Sequence, residues 1–275
     1  AGSKRHLVID VVDVDSAKWE LYARSAFWPL SALYRMEHRR VFELEIRAIT
    51  SSDSALFVSK TEAQEILDRA PELHSRVGYM ENGVDLKRFD PALIFPIPFD
   101  DAKPCVVFTG AMSYWPNVDA VTWFAREIFP AVRREHPLAE FWVVGANPTA
   151  QVRRLSKLPG VRVTGSVFDV RPYLAHATCV VAPLRVARGV QNKVLEGMAF
   201  AKPVVLTSAA LEGLHACPGR DVLLADSKED FGRRVSEQLS DRLNEFGSAA
   251  RTYVETYHRW SENLKVLNEL FPQDT

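Results

Sequence analysis

Three polar residues, Asn192, Lys193 and Glu196, are spaced so that a helix would carry them on one stripe. The opposite face of the same helix would be apolar, formed by Val190, Val194, Met198 and Ala201. A lysine in the first turn favours a bound anion such as a diphosphate, and Glu196 could accept hydrogen bonds from vicinal sugar hydroxyls. The same spacing equally suits an ordinary surface stripe in which Lys193 and Glu196 form a weak ion pair.

Two apolar runs flank this helix and predict buried strands of a parallel sheet, at residues 179–183 and 203–207. We expect the helix to begin directly after Gly189, where unpaired backbone N–H groups and the helix dipole favour a negative charge. A strand, a loop and a helix in this order place the amino end of the helix at the carboxyl edge of the sheet. Ligands bind at that edge in open α/β sheets.

The rest of the chain alternates strand and helix patterns, which predicts an α/β fold with a mainly parallel sheet and helices on both faces. Strands are predicted at 6–14, 54–59, 77–80, 105–109, 140–144, 161–164 and 221–225. Helices are predicted at 30–50, 61–69, 118–135, 170–177, 226–239 and 249–271. Asn117 is placed to cap the helix at 118–135, and Pro130 should kink its second half.

Glycines follow three of the predicted strands, at Gly110, Gly145 and Gly165. Together with Gly189 they would line the edge of the sheet where a nucleotide could lie. Glycine is also common in strand-to-helix turns for conformational reasons alone. The sequence contains no G-x-G-x-x-G, Walker, G-x-S-x-G or paired-histidine metal motif, which argues against a dehydrogenase, a P-loop ATPase, a serine hydrolase and a metal site.

Prolines at positions 91, 96, 98 and 104 interrupt the periodic pattern and predict a linker over 91–104. This linker would separate a first unit, residues 1–90, from a second unit, residues 105–250. The first unit supplies only about three strands, too few for a complete doubly wound domain.

Composition and charge indicate an ordinary soluble globular protein. The formal net charge is −1, from 34 Lys and Arg against 35 Asp and Glu, so nothing points to nucleic-acid binding. The three cysteines, Cys105, Cys179 and Cys217, are far apart and indicate reduced residues of a cytoplasmic protein, not a disulfide or zinc framework. No apolar run approaches the roughly 18 residues of a membrane helix, so any membrane contact would be peripheral.

Four segments between residues 106 and 211 form a recognisable set. They are VVFTGAMSYWPNVDAVTWFAREIFP, FWVVGA, VRVTGSVFDVRPYLAHATCVVAPL and GVQNKVLEGMAFAKPVV. Together they resemble the C-terminal donor-binding domain of retaining GT-B glycosyltransferases of family 4, the group 1 type. The upstream ENGVDLKRFDP, residues 81–91, looks like the segment that leads from the first domain of that family into the second. The pattern is most similar to the sugar transferases of bacterial exopolysaccharide clusters.

The resemblance implies a site for a nucleotide-sugar donor, such as a UDP- or GDP-sugar. Its residues would be Gly110, Gly165, Val167, Gly189, Val190, Gln191, Asn192, Lys193 and Glu196. Glu196 would bind the ribose hydroxyls, Lys193 would lie near the phosphates or the sugar, and the amides of residues 190–192 would hold the diphosphate. The loop after Gly165, with Val167, would contact the base, and the Gly110 loop would approach the phosphates from the other side.

Two features depart from the family pattern. Arg188 stands where the family has the first glutamate of its E-x7-E motif. If Arg188 faces the sugar, it would favour an acidic or otherwise altered sugar, or bind the diphosphate in a different way. It could equally turn to solvent. A full member also has a first domain of roughly 150 to 200 residues. The resemblance therefore implies an N-terminally truncated chain: one complete Rossmann-like domain plus the remainder of another, without the acceptor loop and histidine.

The family reaction is transfer of a sugar from a nucleotide diphosphate to an acceptor hydroxyl with retention, without a bound metal or other cofactor. The acceptor would be a glycan or a lipid-linked glycan. The terminal helix, within 251–275, would pack back toward the first domain, and apolar surface left exposed could be covered by a second copy in a homodimer. This chain alone would be weakly active or inactive. Two other functions remain open: a GT-B-like nucleotide-sugar epimerase, and a non-catalytic nucleotide-sugar-binding module.

Overall fold

The computed structural model describes residues 6–99, 103–240 and 245–271. Predicted features that fall on residues 1–5, 100–102, 241–244 or 272–275 lie outside the described residues. Contacts between Cα atoms divide the chain into two compact units. The first comprises 1–82, 188–190 and 260–275, and the second comprises 83–187 and 191–259. The boundary thus falls between Asn82 and Gly83, before the linker that the prolines predict.

The first unit is built on a three-stranded parallel sheet in the order β1-β2-β3. Its strands are β1 (Val8–Val11), β2 (Ser54–Phe57) and β3 (Val77–Tyr79). Helices α1 (Asp15–Ser25) and α2 (Leu30–Ser51) connect β1 to β2, and α3 (Lys60–Arg69) with a 3₁₀ turn (Pro71–Leu73) connects β2 to β3. Ile49, Phe57 and Ile66 are fully buried in the core between these elements. The predicted α/β pattern of this part is confirmed.

The second unit is built on a six-stranded parallel sheet in the order β6-β5-β4-β7-β8-β9. Its strands are β4 (Cys105–Thr109), β5 (Glu140–Val144), β6 (Val161–Gly165), β7 (Cys179–Ala182), β8 (Val204–Leu206) and β9 (Leu223–Leu224). Most side chains of β4, β5, β7 and β8 are buried, as their continuous apolar runs predict for a sheet covered on both faces.

Helices connect these strands and follow the last of them. They are α4 (Trp115–Trp123), α5 (Phe129–Glu135), α6 (Ala150–Leu155), α7 (Arg171–Ala175), α8 (Asn192–Ala199), α9 (Ser208–Leu211), α10 (Lys228–Ser240) and α11 (Glu245–Tyr257). Aromatic rings of Phe124, Phe129, Phe141 and Phe231 pack on one another at centroid distances of 4.5–6.0 Å and form part of the core. Two short helices, α12 (Trp260–Asn263) and α13 (Lys265–Leu270), follow in the first unit.

The strand order creates a topological switch point in the second sheet. From β4 the chain proceeds outward to β5 and β6, then returns to place β7 on the other side of β4. Because all the strands are parallel, the loops after β4 and after β7 emerge side by side at the same edge. A crevice opens between two such loops, and ligands of open α/β sheets bind there.

The predicted helix at 118–135 is not continuous. It consists of α4, a π-helical segment (Phe124–Ile128) and α5. Pro130, in the first turn of α5, has no N–H to donate, which explains why the hydrogen-bonding pattern changes just before it. The helix also begins earlier than predicted, with Tyr114 as its N-cap residue and no side-chain cap. The prediction that Asn117 caps it is therefore wrong.

The predicted terminal helix at 249–271 is broken into three pieces. His258, at the end of α11, is 1% exposed, and its backbone carbonyl accepts a hydrogen bond from the N–H of Val84 at 2.8 Å. Arg259 continues this pairing as a bridge with Val84. The chain must leave helical geometry to make these bonds, so helix propensity is overridden by a long-range contact.

The described part of segment 91–104 packs on the second unit. Phe95 packs edge-to-face against Phe200 and Phe99 packs at a tilt against Trp142, at centroid distances of 5.8 and 5.4 Å. The carbonyl of Phe95 also lies 2.9 Å from Nε2 of His176.

Of the helices described, none is both long enough and apolar enough to cross a bilayer.

Candidate functional site

Side chains of α4 and α8, the helices that follow β4 and β7, meet across the crevice. Nζ of Lys193, in the first turn of α8, donates to Oδ1 of Asn117 at 2.8 Å. The same Nζ lies 5.0 Å from the ring centroid of Phe108, near the end of β4. A cation is thus fixed at the switch point of the sheet, between an amide oxygen and the face of an aromatic ring.

Helix α8 carries the two faces that its sequence predicts. Val194 and Met198 are fully buried, while Lys193 and Glu196 are half-buried and Asn192 is exposed. The apolar face packs closely on the sheet, since a Cβ at Gly197 would lie 3.1 Å from Val180. The polar stripe is therefore presented at the carboxyl edge of β7.

The start of α8 differs from the prediction. The helix begins at Asn192, not directly after Gly189, and its N-cap residue Gln191 has φ −84° and ψ 96°. Gly189 adopts a left-handed φ of 60°, which glycine allows at little cost, and Val190 is 8% exposed. The extended backbone at Gln191 delays the start of the helix until Asn192. The prediction that residues 190–192 hold a diphosphate through their amides stays a prediction.

Burial brings the pKa values of the two titratable groups of α8 closer together. It lowers the pKa of Lys193 to about 8, a change that the nearby carboxylate of Glu196 opposes. It raises the pKa of Glu196 to about 7, a change that Lys193 and Arg88 oppose. Both groups therefore titrate close to neutral pH, as is common for residues that bind or process charged ligands.

The affinity for a nucleoside diphosphate is expected to be highest between about pH 7 and pH 8. Above about pH 8 Lys193 loses its proton and its attraction for phosphate. Below about pH 7 Glu196 is protonated and accepts hydrogen bonds from sugar hydroxyls less strongly. Calorimetric titration with UDP from pH 6 to 9 would measure this pH profile. Because Lys193 and Glu196 influence each other's pKa, the acidic and alkaline limbs of the profile report the titration of the pair. A flat profile across that range would contradict it.

Neither Gly110, after β4, nor Gly145, after β5, has room for a larger residue. A Cβ at Gly145 would lie 1.8 Å from the carbonyl oxygen of Gly110, and a Cβ at Gly110 would lie 2.8 Å from Nδ2 of Asn117. That Nδ2 donates to the carbonyl of Ala111 at 3.0 Å. Because Gly110 has no Cβ, the Asn117 side chain can pack against the loop after β4. Its amide oxygen then points toward Lys193.

A buried hydroxyl lies at the same strand end. Thr109, the last residue of β4, is 4% exposed, and its Oγ1 has no hydrogen-bond partner among the described residues. Leaving a buried hydroxyl unpaired costs about 1–3 kcal/mol. The sequence analysis did not single out Thr109, because a threonine at the end of a strand is ordinary. It also assigned Asn117 a different role.

The loop after β6 places an aromatic side chain in solvent. Gly165 has a left-handed φ of 74°, Val167 is half-buried, and the side chain of Phe168 is fully exposed. Asp169 and Arg171 form a charge-assisted pair at 2.7 Å just beyond it. The sequence analysis named Val167 for the base, but the exposed ring beside it offers the larger surface for stacking.

Replacing Phe168 with alanine is expected to weaken UDP binding about tenfold, because stacking of a base on an aromatic ring contributes about 1–3 kcal/mol. Pyrophosphate, which has no base, should bind both forms equally. Calorimetry with the two ligands measures the difference. Phe27→Ala, which removes an equally exposed ring in the first unit, is the control. Equal UDP affinity for Phe168→Ala and the parent chain would contradict a base-stacking role.

Residues 188–190 group with the first unit and are described there. Nη1 of Arg188 donates to Oε2 of Glu65, in α3, at 3.0 Å, and the Arg188 side chain is 18% exposed. A Cβ at Gly189 would lie 2.5 Å from Oδ1 of Asp13. Arg188 therefore does not turn freely to solvent. Its predicted role toward the transferred sugar stays a prediction.

Comparison with known proteins assigns the chain to a family. The sequence profile of the family described as glycosyl transferases group 1 matches residues 103–241, half of the chain. The chain belongs to the group 1 glycosyltransferases. The match covers β4 to α10 and thus includes Asn117, Lys193 and Glu196. No curated protein matched in the corresponding search.

Solved structures share the fold of this group 1 glycosyltransferase. A structure of Anabaena HepE in complex with UDP and glucose superposes with a TM-score of 0.72 at 14% identity, covering 98% of this chain and 72% of HepE. WaaG, a glycosyltransferase involved in lipopolysaccharide biosynthesis, gives a TM-score of 0.71 at 17% identity, covering 96% of this chain and 74% of WaaG.

A glycosyltransferase from Rickettsia africae ESF-5 gives a TM-score of 0.65 at 16% identity, covering 81% of this chain and 64% of that protein. The match to TarM covers 84% of this chain but only 46% of TarM. The chain thus spans less than two thirds of several relatives. With its two parallel sheets, it has the GT-B fold that the resemblance predicts.

Proposed function

We propose that the protein transfers a sugar from a nucleoside diphosphate to an acceptor hydroxyl with retention, as a family 4 enzyme. The single observation that carries this proposal is the position of Lys193. Its ammonium is held at the switch point of the second sheet, one helical turn from Glu196, whose carboxylate titrates near neutrality. That arrangement provides one group for a diphosphate and one for sugar hydroxyls.

The chemistry of this site suits departure of a nucleoside diphosphate. When the glycosidic bond to the donor breaks, negative charge develops on the leaving diphosphate. A preorganised cation stabilises this charge more than it stabilises the bound donor, which lowers the barrier. Lys193 is such a cation, and its partial burial strengthens its interaction with a phosphate oxygen. The amino end of α8 adds a favourable dipole.

The proposed donor is a UDP-sugar. Three structures of HepE, with UDP, with UDP and glucose, and with UDP-glucose, share the fold of this chain over 98% of its length. Since their identity to this chain is 14–15%, the choice of uridine rests on fold similarity. A GDP-sugar is the alternative that a titration decides.

The described residues supply mainly the donor half of the proposed enzyme. The first unit has a three-stranded sheet, whereas the second has six strands. We therefore propose that this chain binds donor but turns over slowly or not at all without further acceptor-side residues. The proposed acceptor is a glycan or lipid-linked glycan of a bacterial exopolysaccharide or cell-surface pathway, reached from the cytoplasm.

Titration with UDP, GDP, UDP-glucose and GDP-mannose, followed by an assay for nucleotide release, tests the proposal. We expect saturable binding of one nucleotide class and slow release of that nucleotide from its sugar. Isomerisation of the sugar without nucleotide release would instead identify an epimerase. Binding without chemistry, even with the acceptor half supplied, would identify a binding module. Failure of all four ligands to bind would overturn the proposal.

We further propose that the leaving diphosphate is stabilised without a divalent metal. The amino end of α8 and Lys193 would take the place that Mg²⁺ occupies in metal-dependent transferases. Nucleotide affinity and release should therefore be unchanged by EDTA. A requirement for Mg²⁺ or Mn²⁺ would contradict this part of the proposal. Retention would be checked from the anomeric configuration of the product by proton NMR.

A further inference from the structure

Asn117 occupies an unusual place for an amide. It lies in the first turn of α4, is 4% exposed, and makes no capping hydrogen bond. Both ends of its side chain are used elsewhere. Nδ2 donates to the carbonyl of Ala111 at 3.0 Å, and Oδ1 accepts from Nζ of Lys193 at 2.8 Å.

These two hydrogen bonds fix the orientation of the amide. Because Nδ2 is committed to the Ala111 carbonyl, Oδ1 must point toward Lys193. Ala111 lies in the loop after β4 and Asn117 in the first turn of α4, so this short segment holds the amide before any ligand is present. The absence of a Cβ at Gly110 allows this packing, since a Cβ there would lie 2.8 Å from Nδ2.

The partner of Asn117 comes from the other side of the crevice. Lys193 lies 76 residues further along the chain, after β7, and its flexible side chain could otherwise adopt many rotamers. Asn117 and the ring of Phe108 hold the ammonium at one position. Ordering this side chain in advance removes an entropy cost from ligand binding.

The neutrality of the amide is the decisive chemical point. A carboxylate at this position would also hold Lys193, but it would cancel the positive charge and repel a phosphate. An amide oxygen orients the cation and leaves its charge available. Among the surrounding charged groups, Glu196 faces Lys193 from the same helix, Arg88 acts on Glu196, and Asp119 of α4 is paired with Arg185.

We propose that Asn117 is a positioning residue, which fixes the ammonium of Lys193 and preserves its charge for the diphosphate of the donor. This inference rests on the proposed function for the identity of the ligand. The link between Asn117 and Lys193 is a property of the protein alone. It can therefore be measured separately.

Two substitutions at this position have opposite expected effects on Lys193. In Asn117→Asp the new carboxylate stabilises the ammonium, so Lys193 should titrate at higher pH than in the parent chain. In Asn117→Ala the ammonium loses an acceptor, so Lys193 should titrate at lower pH. Lysine-selective ¹³C NMR of the full chain measures both shifts without any ligand. Gln151→Glu, which adds the same charge at an exposed position of the same unit, should leave Lys193 unchanged.

Affinity for UDP at pH 7.5 should fall about tenfold in both variants, for two different reasons. Asn117→Ala removes the hydrogen bond that orients Lys193, and Asn117→Asp adds a negative charge that repels the phosphates. The alkaline limb of the affinity profile should move up in Asn117→Asp and down in Asn117→Ala. A purely structural role would lower thermal stability without moving that limb. Folded variants in which Lys193 titrates as in the parent chain would overturn the inference. If the parent chain binds no UDP, the proposed function fails, while the NMR titration still decides whether Asn117 controls Lys193.

Discussion

Replacing Lys193 with methionine is expected to weaken UDP binding about a hundredfold, the largest effect of any single substitution in the second unit. Methionine fills a similar volume and removes the charge, so packing against Phe108 is largely kept. A hydrogen bond to a charged group contributes about 1.5–3 kcal/mol, and 1.4 kcal/mol corresponds to a factor of ten in affinity. Partial burial of the ammonium places the effect at the upper end of that range.

Lys202→Met is the matched control for this prediction. Lys202 lies just before β8, at the opposite edge of the sheet, and burial lowers its pKa as well. Both substitutions remove a half-buried lysine from the same unit, but only one lies at the crevice. Calorimetry should show a large loss for Lys193→Met and little change for Lys202→Met. Equal losses would mean that the effect is nonspecific.

Glu196→Gln is expected to weaken UDP binding about thirtyfold while leaving pyrophosphate binding equal or slightly stronger. A carboxylate accepting from two ribose hydroxyls forms charge-assisted hydrogen bonds, and replacing it with an amide loses about 2 kcal/mol. Pyrophosphate has no ribose and is relieved of a nearby negative charge. The acidic limb of the UDP profile near pH 7 should disappear in this variant, because Glu196 produces it.

The control for this prediction is Glu135→Gln, at the exposed end of α5 and before the amino end of β5. It makes the same change of charge at the opposite edge of the sheet. Parallel losses of UDP and pyrophosphate affinity in Glu196→Gln would contradict a ribose-binding role. They would instead indicate that the substitution disturbs Lys193.

The local pattern of α8 could be predicted from sequence because its information lies within a few residues. The 3.6-residue period separates Val194 and Met198 from Lys193 and Glu196, and the structure confirms this separation. Its exact start could not be predicted in this way. The helix begins at Asn192 because the backbone of Gln191 is extended, a conformation that the 3.6-residue period does not reveal.

Sequence periodicity also could not predict that Asn117 is the hydrogen-bond partner of Lys193. Alternating strands and helices indicate a parallel sheet, but they do not say that β7 lies beside β4. Only that strand order brings the two loops together and lets Asn117 contact Lys193. Local reasoning assigned Asn117 to a helix cap, since asparagine before a helical pattern often caps it. In the structure its side chain instead donates to the Ala111 carbonyl and accepts from Lys193.

Long-range contacts also explain the other differences. Proline content predicted a linker over 91–104, and its described residues Phe95 and Phe99 pack against Phe200 and Trp142. Helical periodicity predicted one terminal helix, but pairing of Val84 with His258 and Arg259 interrupts it. There a contact far along the chain outweighs a local preference of a few tenths of a kcal/mol per residue.

A crystal structure of the chain with bound UDP tests the central claim most directly. We predict that the diphosphate lies at the switch point between the loops after β4 and β7, with an oxygen within about 3 Å of Nζ of Lys193. The ribose hydroxyls should contact the carboxylate of Glu196. UDP bound elsewhere, with the Lys193–Asn117 pair untouched by the ligand, would contradict the account.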